Sequence, residues 1–235
     1  MTTSVALCTY NGAQYLKEQL DSILGQTRPV DEIVICDDRS TDATVALINR
    51  YIEKHPGKIR LIENPENLGY TRNFEKAICA CSGDILFLSD QDDIWMPEKT
   101  EVICDYFEKH PDKSFVFTNA FLVNRFGATS YHQTLFDVVG MDDRNKKLFR
   151  AGHPYQVLST SGRVTGATTA MRVSFVPYCI PFTVWGQVHD EIIAISALLW
   201  NKLDFIDRCL IKYRLHDNQS VGLGALFIYP AKRWE

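Results

Sequence analysis

The chain has 235 residues, 46% of them hydrophobic and 23% charged, which is enough for one large domain with a substantial core and too apolar for extended disorder. A formal net charge of -4 gives no strongly basic face of the kind that nucleic acid selects, and no run approaches the ~20 apolar residues that span a bilayer. The cysteines, seven in number, include no Cys-x-x-Cys and fall mostly in apolar runs. They read as reduced core thiols of a cytoplasmic protein, with no zinc site expected. The segment Met1-Thr2-Thr3-Ser4-Val5 lacks the basic-then-apolar layout of a signal peptide.

In chain order, residues 4–9 read as a strand and 15–24 follow with helical apolar spacing. A second strand is expected over 32–36. Ser40-Thr41-Asp42 has the chemistry of a helix N-cap, with its helix over 43–54. A strand over 59–63, a helix over 71–80 and a strand over 85–89 come next. Pro97 suits a first helical turn and opens a helix to about residue 110, followed by a strand over 114–119. This alternation predicts a mostly parallel central sheet with helices on both faces, hence an α/β fold. After Arg125 the regularity ends: 146–149 suggests a short helix, 188–200 a longer one, and 203–206 and 209–213 two short strands. No linker separates the halves, so one domain is expected over 1–235, divided into residues 1–124 and 125–235. The tail, apolar over 223–230 and then basic at Lys232 and Arg233, reads as a core element or as an interfacial membrane contact. The chain is open to being a fragment of a longer protein.

Open α/β sheets bind ligands beyond the C-terminal ends of their strands. The polar clusters fall at those ends: Thr9-Tyr10-Asn11-Gly12, Asp37-Asp38-Arg39-Ser40, Asn67-Leu68-Gly69 with Arg72-Asn73, and Asp90-Gln91-Asp92-Asp93. Three carboxylates within four residues repel one another unless they are solvated or share a cation. Hard oxygen ligands suit Mg²⁺ or Mn²⁺; an acidic turn capping the next helix is the alternative. The Gly-x-Gly-x-x-Gly dinucleotide fingerprint and the Gly-Lys-Ser/Thr phosphate loop are both absent.

The order Thr-Tyr-Asn-Gly, Asp-Asp-x-Ser-x-Asp, Asn-x-Gly-x-x-Arg-Asn and Asp-x-Asp-Asp resembles family-two glycosyltransferases of the GT-A fold, a Rossmann-like nucleotide-diphospho-sugar transferase architecture. The resemblance is strong over about residues 4–120 and weaker over 160–220. It implies a nucleotide pocket formed by Thr9, Tyr10, Asn11, Asp38, Arg72 and Asp90, with Tyr10 and Asn11 equally readable as loop-fixing residues. It implies Asp92 as metal ligand, Asp93 behind it, and His216 of Tyr213-Arg214-Leu215-His216 on the metal or a phosphate. Thr165-Gly166-Ala167-Thr168 resembles the acceptor-side loop. Asp190 takes the position of the catalytic base, where relatives carry Glu-Asp and this chain carries His189-Asp190-Glu191. Gly166, Ala167, Trp95, His189 and Glu191 are then expected around the donor and acceptor sugars.

The implied activity is metal-dependent, inverting transfer from a nucleotide sugar to a saccharide or lipid-linked acceptor in cell-surface polysaccharide synthesis. Asp-Gln-Asp-Asp-Ile-Trp with His-Asp looks most like rhamnosyltransferase-like members, which points to dTDP-rhamnose, with UDP-sugars second. A sugar-phosphate nucleotidyltransferase and a non-catalytic nucleotide- or carbohydrate-binding module remain as alternatives. The expected location is cytoplasmic, with peripheral contact at the inner face of the plasma membrane through the tail.

Overall fold

Four apolar runs, β1 (Thr3–Thr9), β2 (Glu32–Asp37), β3 (Ile59–Glu63) and β4 (Ile85–Ser89), pair in parallel in the order β3-β2-β1-β4. β1 and β4 are buried along their whole length, which is why they read as near-continuous apolar runs rather than as alternating ones. The sheet continues through a mixed half, β8-β6-β9-β5, with β7 on the edge of β6. These strands are β5 (Ile94–Trp95), β6 (Phe115–Val123), β7 (Thr129–Thr134), β8 (Thr169–Arg172) and β9 (Leu203–Arg214). The computed structural model describes residues 1–158, 162–182, 188–217 and 219; the tail over 223–234, with both of its expected readings, lies outside the described residues.

The helices are α1 (Leu16–Leu24), α2 (Thr44–Lys54), α3 (Tyr70–Ala80), α4 (Lys99–Lys109), α5 (Leu135–Val138), α6 (Asp143–Arg150), α7 (Pro154–Leu158) and α8 (His189–Leu199). Alternate strand residues feed two cores. Val5, Leu7, Ile33, Ile35 and Phe87 pack with Leu16, Leu20 and Ile23 of α1, Ile48 of α2 and Ile103 and Phe107 of α4. Ala6, Cys8, Cys36 and Leu86 face the other way, onto Phe74 and Ile78 of α3 and Ile193 and Ala197 of α8. The result is the expected α/β layering, with helices on both faces of one sheet.

The first half follows the sequence reading closely. Asp42 serves the start of α2 through its Oδ1, which accepts the Thr44 N–H at 2.9 Å, so the helix begins at Thr44 rather than at 43. The second half departs from it. The expected strands at 203–206 and 209–213 are one strand, β9, and its register against β6 shifts opposite Thr118–Ala120. β8 is antiparallel between β4 and β6, and the two-residue β5 pairs with Ile211 and Lys212 of β9. The thiols are also less uniform than expected. Cys8, Cys36, Cys104 and Cys179 are buried, but Cys79 is exposed and Cys81 and Cys209 are half-buried, because α3 and β9 turn those positions outward. No described helix is long and apolar enough to cross a membrane.

Candidate active site

β1, β2 and β4 deliver their C-terminal ends to one cleft of about 930 Å³. The chain after β1 runs outward on both sides of that strand, to β2 and to β4, which makes the switch point where such sheets bind ligands. Thr9 is buried and its Oγ1 donates to Asp37 Oδ2 at 2.7 Å, while the Asp38 N–H donates to the Thr9 carbonyl. Asp38 is 3% exposed and already has three protein donors. Asn64 Nδ2 and the Leu68 N–H reach its Oδ1 at 2.8 Å, and the Gly69 N–H reaches Oδ2 at 2.9 Å. A carboxylate offers about four acceptor positions, so one remains on Oδ2.

The two loops above this floor are tied together. The Asn11 N–H donates to Ser40 Oγ and Asn11 Oδ1 accepts the Thr41 N–H, both at 2.8 Å. Gln91 reads the backbone of Tyr10 twice, Oε1 accepting its N–H at 2.8 Å and Nε2 donating to its carbonyl at 3.0 Å. That embrace requires Gly12, since a Cβ there would stand 1.9 Å from Gln91 Oε1. Asn11 and Arg39 hold positive φ angles of 48° and 66° beside the cleft. Asparagine tolerates this region, whereas for Arg39 it costs about 1 kcal/mol that the surrounding bonds must offset.

The acidic loop 90–93 is held at both ends, by β4 and by β5. Gln19 is fully buried on the otherwise apolar face of α1, and its Nε2 donates to Ser89 Oγ at 2.6 Å and to the Asp90 carbonyl at 3.1 Å. Arg214, 1% exposed at the end of β9, grips the loop from the other side. Its N–H donates to Asp93 Oδ1, its Nε to the Asp92 carbonyl at 2.6 Å, and its guanidinium to the Arg125 carbonyl and to Glu18 Oε2 at 2.6 Å. Asp92 Oδ2 lies 2.8 Å from His216 Nε2, and the His216 ring rests against Tyr15 at 4.8 Å. Burial drives the Asp90 carboxyl up to about 8, with the charges of Asp92 and Asp190 adding to it. Asp93 is also pushed well up, by burial first and by Asp92 and Asp90 second; its Oδ2 has no partner among the described residues.

Across the cleft stands the first turn of α8. Asp190 Oδ2 accepts the Gly166 N–H at 2.7 Å, and Oδ1 accepts the Glu191 N–H at 2.9 Å. Burial raises its carboxyl and those two N–H donors oppose the rise. His189 lies flat on Phe74 of α3, ring centroids 3.9 Å apart, and is 6% exposed. Burial lowers it to about 3, so it is neutral in water near pH 7, and neither ring nitrogen has a partner among the described residues. Glycine is required at 166, where a Cβ would meet His189 Nε2 at 2.9 Å and Asp190 Oδ2 at 3.4 Å. Glu191 Oε1 accepts the Gly162 N–H at 3.2 Å.

The cleft thus brings together Thr9, Tyr10, Asn11, Asp38, Asp90, Asp92, Gly166, His189, Asp190, Glu191 and His216. Three expected residues stand elsewhere. Arg72 is exposed on α3 and does not line the cleft, because the turn of the helix that buries Asn73 and Phe74 points it outward. Trp95 is 3% exposed and packs on Phe87, as β5 directs its ring into the core. Ala167 is 1% exposed, and it is its carbonyl that is engaged, by Lys99 Nζ at 2.9 Å. Sequence reasoning missed Gln19, Lys99 and Arg214 as organisers. Gln19 is visible as a polar residue interrupting the Leu16–Leu20–Ile23 stripe, and Arg214 lies within the Tyr213-Arg214-Leu215-His216 segment already singled out; Lys99 gives no such signal.

Among the described residues, no three His, Cys, Asp or Glu side chains form a ready-made metal cage. Asp92 and His216 nevertheless fit a cation that is shared with a ligand. The two side chains contact each other at 2.8 Å, and a carboxylate oxygen and an imidazole nitrogen are both donors that a divalent ion accepts. Magnesium-type ions characteristically take one or two protein ligands and fill the rest with phosphate oxygens and water.

An α/β cleft at a switch point, with Asp92 beside His216 on one wall and the buried Asp190 carboxylate on the other, stands where sheets of this kind bind ligands. Residues 4–176 match the model of the glycosyl transferase family 2, and the chain belongs to that family. It is 36% identical over 224 residues to an uncharacterized glycosyltransferase of Haemophilus influenzae, covering 92% of this chain and 66% of that protein. It is 31% identical over 124 residues to the putative glycosyltransferase EpsE of Bacillus subtilis, covering 53% of this chain and 45% of that one. The first curated relatives it matches are longer still, the chain spanning 37% of their length. Among solved structures, S. aureus TarS 1-349 in complex with UDP-GlcNAc superposes with a TM-score of 0.69 at 19% identity, covering 93% of this chain and 60% of that one. The mannosyltransferase PcManGT from Pyrobaculum calidifontis, in complex with GDP-Man and Mn2+, gives 0.66 at 20% identity, covering 92% and 57%. These two likenesses establish the GT-A fold.

Proposed function

We propose that this chain transfers a sugar from a nucleoside diphosphate donor to a hydroxyl acceptor, residues 1–124 holding the donor and residues 125–235 the acceptor. The observation that carries the reading is the placement of Asp190 across one cleft from Asp92 and His216. Thr9, Tyr10 and Asn11 shape the nucleobase end, and the remaining acceptor position of Asp38 Oδ2 suits a pyrimidine N–H. A divalent cation, Mn²⁺ or Mg²⁺, held by Asp92 and His216 would compensate the charge of the departing diphosphate. Asp190 removes the proton from the acceptor hydroxyl. The hydrogen bonds from Gly166 and Glu191 orient it, and burial makes it a stronger base than an exposed carboxylate. His189 and Glu191 border the sugars. One base and one cation site favour single displacement with inversion at the anomeric carbon.

The donor is dTDP-rhamnose, or a UDP-sugar, and the acceptor a saccharide or lipid-linked acceptor of the cell surface, met on the cytoplasmic side of the membrane. The Asp-Gln-Asp-Asp-Ile-Trp and His-Asp patterns support the first donor, and the UDP-GlcNAc complex of TarS supports the second. The test is thermal unfolding with UDP, dTDP, GDP or ADP, each with and without Mn²⁺. Ligand at about 100-fold its Kd should stabilise by ~2.7 kcal/mol, roughly 5–10 °C for a domain of this size. The expected result is a shift with UDP or dTDP that needs the ion and disappears in Asp92→Ala. A folded protein that no nucleotide stabilises overturns the proposal.

A further inference from the structure

Lys99 is the first residue of α4 and its side chain is completely buried. A lysine is poorly suited to that place. The start of a helix repels a cation, and an ammonium taken out of water must find strong partners. Its Nζ donates to the Ala167 carbonyl at 2.9 Å, across 68 residues of sequence, and lies 4.0 Å over the Trp95 ring. The charges of Asp93 and Asp90 favour its protonated form, although burial takes it down to about 7. The turn it holds is short: Gly166–Thr168 is a single 3₁₀ turn. The same turn presents the Gly166 N–H that Asp190 Oδ2 accepts at 2.7 Å.

We infer that Lys99 is a positioning residue that locks the acceptor-side turn to the acidic loop and so aims Asp190 into the cleft. It touches no reacting atom. Thr169 Oγ1 and Thr168 Oγ1 also donate within the turn, to the Gly166 and Thr165 carbonyls, but those bonds fix its shape and not its distance from the loop at 90–93. The pairing of β8 with β4, Ala170 opposite Phe87, anchors the far end of the turn, and Lys99, at the start of α4 just after the loop and β5, ties its near end at Ala167, next to the Gly166 N–H. The catalytic consequence rests on the proposed role of Asp190; the positional coupling does not.

The experiment compares wild type with Lys99→Met, which removes charge and donor at similar length, and Lys99→Arg, which keeps both. Lys99→Gln, neutral and shorter, serves as a second loss variant should Lys99→Met fail to fold. Amide exchange at Gly166 and the ¹³C carboxyl titration of Asp190 are read by NMR without nucleotide. The loss variants should exchange Gly166 at least about tenfold faster. They should also titrate Asp190 at higher pH, since a hydrogen bond to the charged form is gone; Lys99→Arg should restore both. With donor present, the loss variants should keep KM for the nucleotide sugar and lose about 10–100-fold in kcat. Unchanged Gly166 exchange and an unchanged Asp190 titration in a folded loss variant overturn the inference. If wild type binds neither UDP nor dTDP with Mn²⁺, the proposed function falls, and the two NMR readings still decide the role of Lys99.

Discussion

Asp190 and His189 are neighbours in sequence with opposite electrostatic fates. Burial raises the carboxyl and so makes Asp190 more basic, and it lowers the imidazole, which is a neutral ring near pH 7. Asp190→Asn should reduce transfer by about 10²–10⁴-fold while leaving UDP or dTDP affinity within a few-fold, measured by product formation and calorimetry. Persistence of transfer would place the base elsewhere. His189 supplies a second prediction. Its folded value of about 3 lies below its unfolded value of 6.5, so the unfolded chain binds the extra proton as pH falls. The stability it allows is complete above about pH 6.5 and is lost progressively toward pH 3, at a limiting rate of about 1.4 kcal/mol per pH unit. Urea denaturation of wild type and His189→Phe should diverge over that window, the variant keeping the stack on Phe74 and losing the slope. Parallel pH profiles would show that the ring is protonated in the folded protein.

At the scale of elements, the cleft depends on stitching between strand ends that lie far apart in sequence. Gln91 joins the loop after β4 to the loop after β1, and Gly12 leaves room for it. Gly12→Ala should push Gln91 away rather than move backbone, at a cost of about 1–2 kcal/mol for two lost hydrogen bonds. Gln91→Ala should cost about the same. The double variant should cost clearly less than the sum, because the colliding atom is gone, with a coupling on the order of 1 kcal/mol in denaturant unfolding. Simple additivity would show that the two residues do not share this contact. The strand ends themselves were legible in sequence, since apolar runs closed by Thr-Tyr-Asn-Gly or Asp-Gln-Asp-Asp mark both the strand and its polar edge. The partner of each end was not legible, because hydrogen bonds such as that from Gln91 to Tyr10 depend on a parallel register that no local pattern encodes.

For the whole molecule, Arg214 adds a side-chain tie between halves that strand pairing already joins. From β9 it reaches α1 through Glu18, the acidic loop through Asp92 and Asp93, and the turn before β7 through Arg125. Arg214→Met should cost about 2–4 kcal/mol. The Glu18 end is 57% exposed and contributes little, whereas the Asp92 and Arg125 carbonyls lose a charged donor; the backbone N–H that Asp93 accepts is kept. It should also weaken nucleotide binding, because the loop bearing Asp92 loses its outer support. An equally stable variant with unchanged affinity would remove Arg214 from this role.

The sequence by itself determined the parallel half of the sheet, the four polar clusters at its edge and the place of Asp190 at the start of a helix. These follow from local rules: unbroken apolar runs make buried strands, and ligand-binding polar residues stand where such strands stop. Tertiary structure alone decided the antiparallel insertion of β8, the union of two expected strands in β9, and which side chains face the cleft. It turned Arg72 outward, sent Trp95 into the core, and brought Lys99 and Arg214 under the acidic loop. The physical reason is that a side chain's direction is set by the packing of its element against distant ones, and a buried cation finds its partners only once the sheet has closed around them.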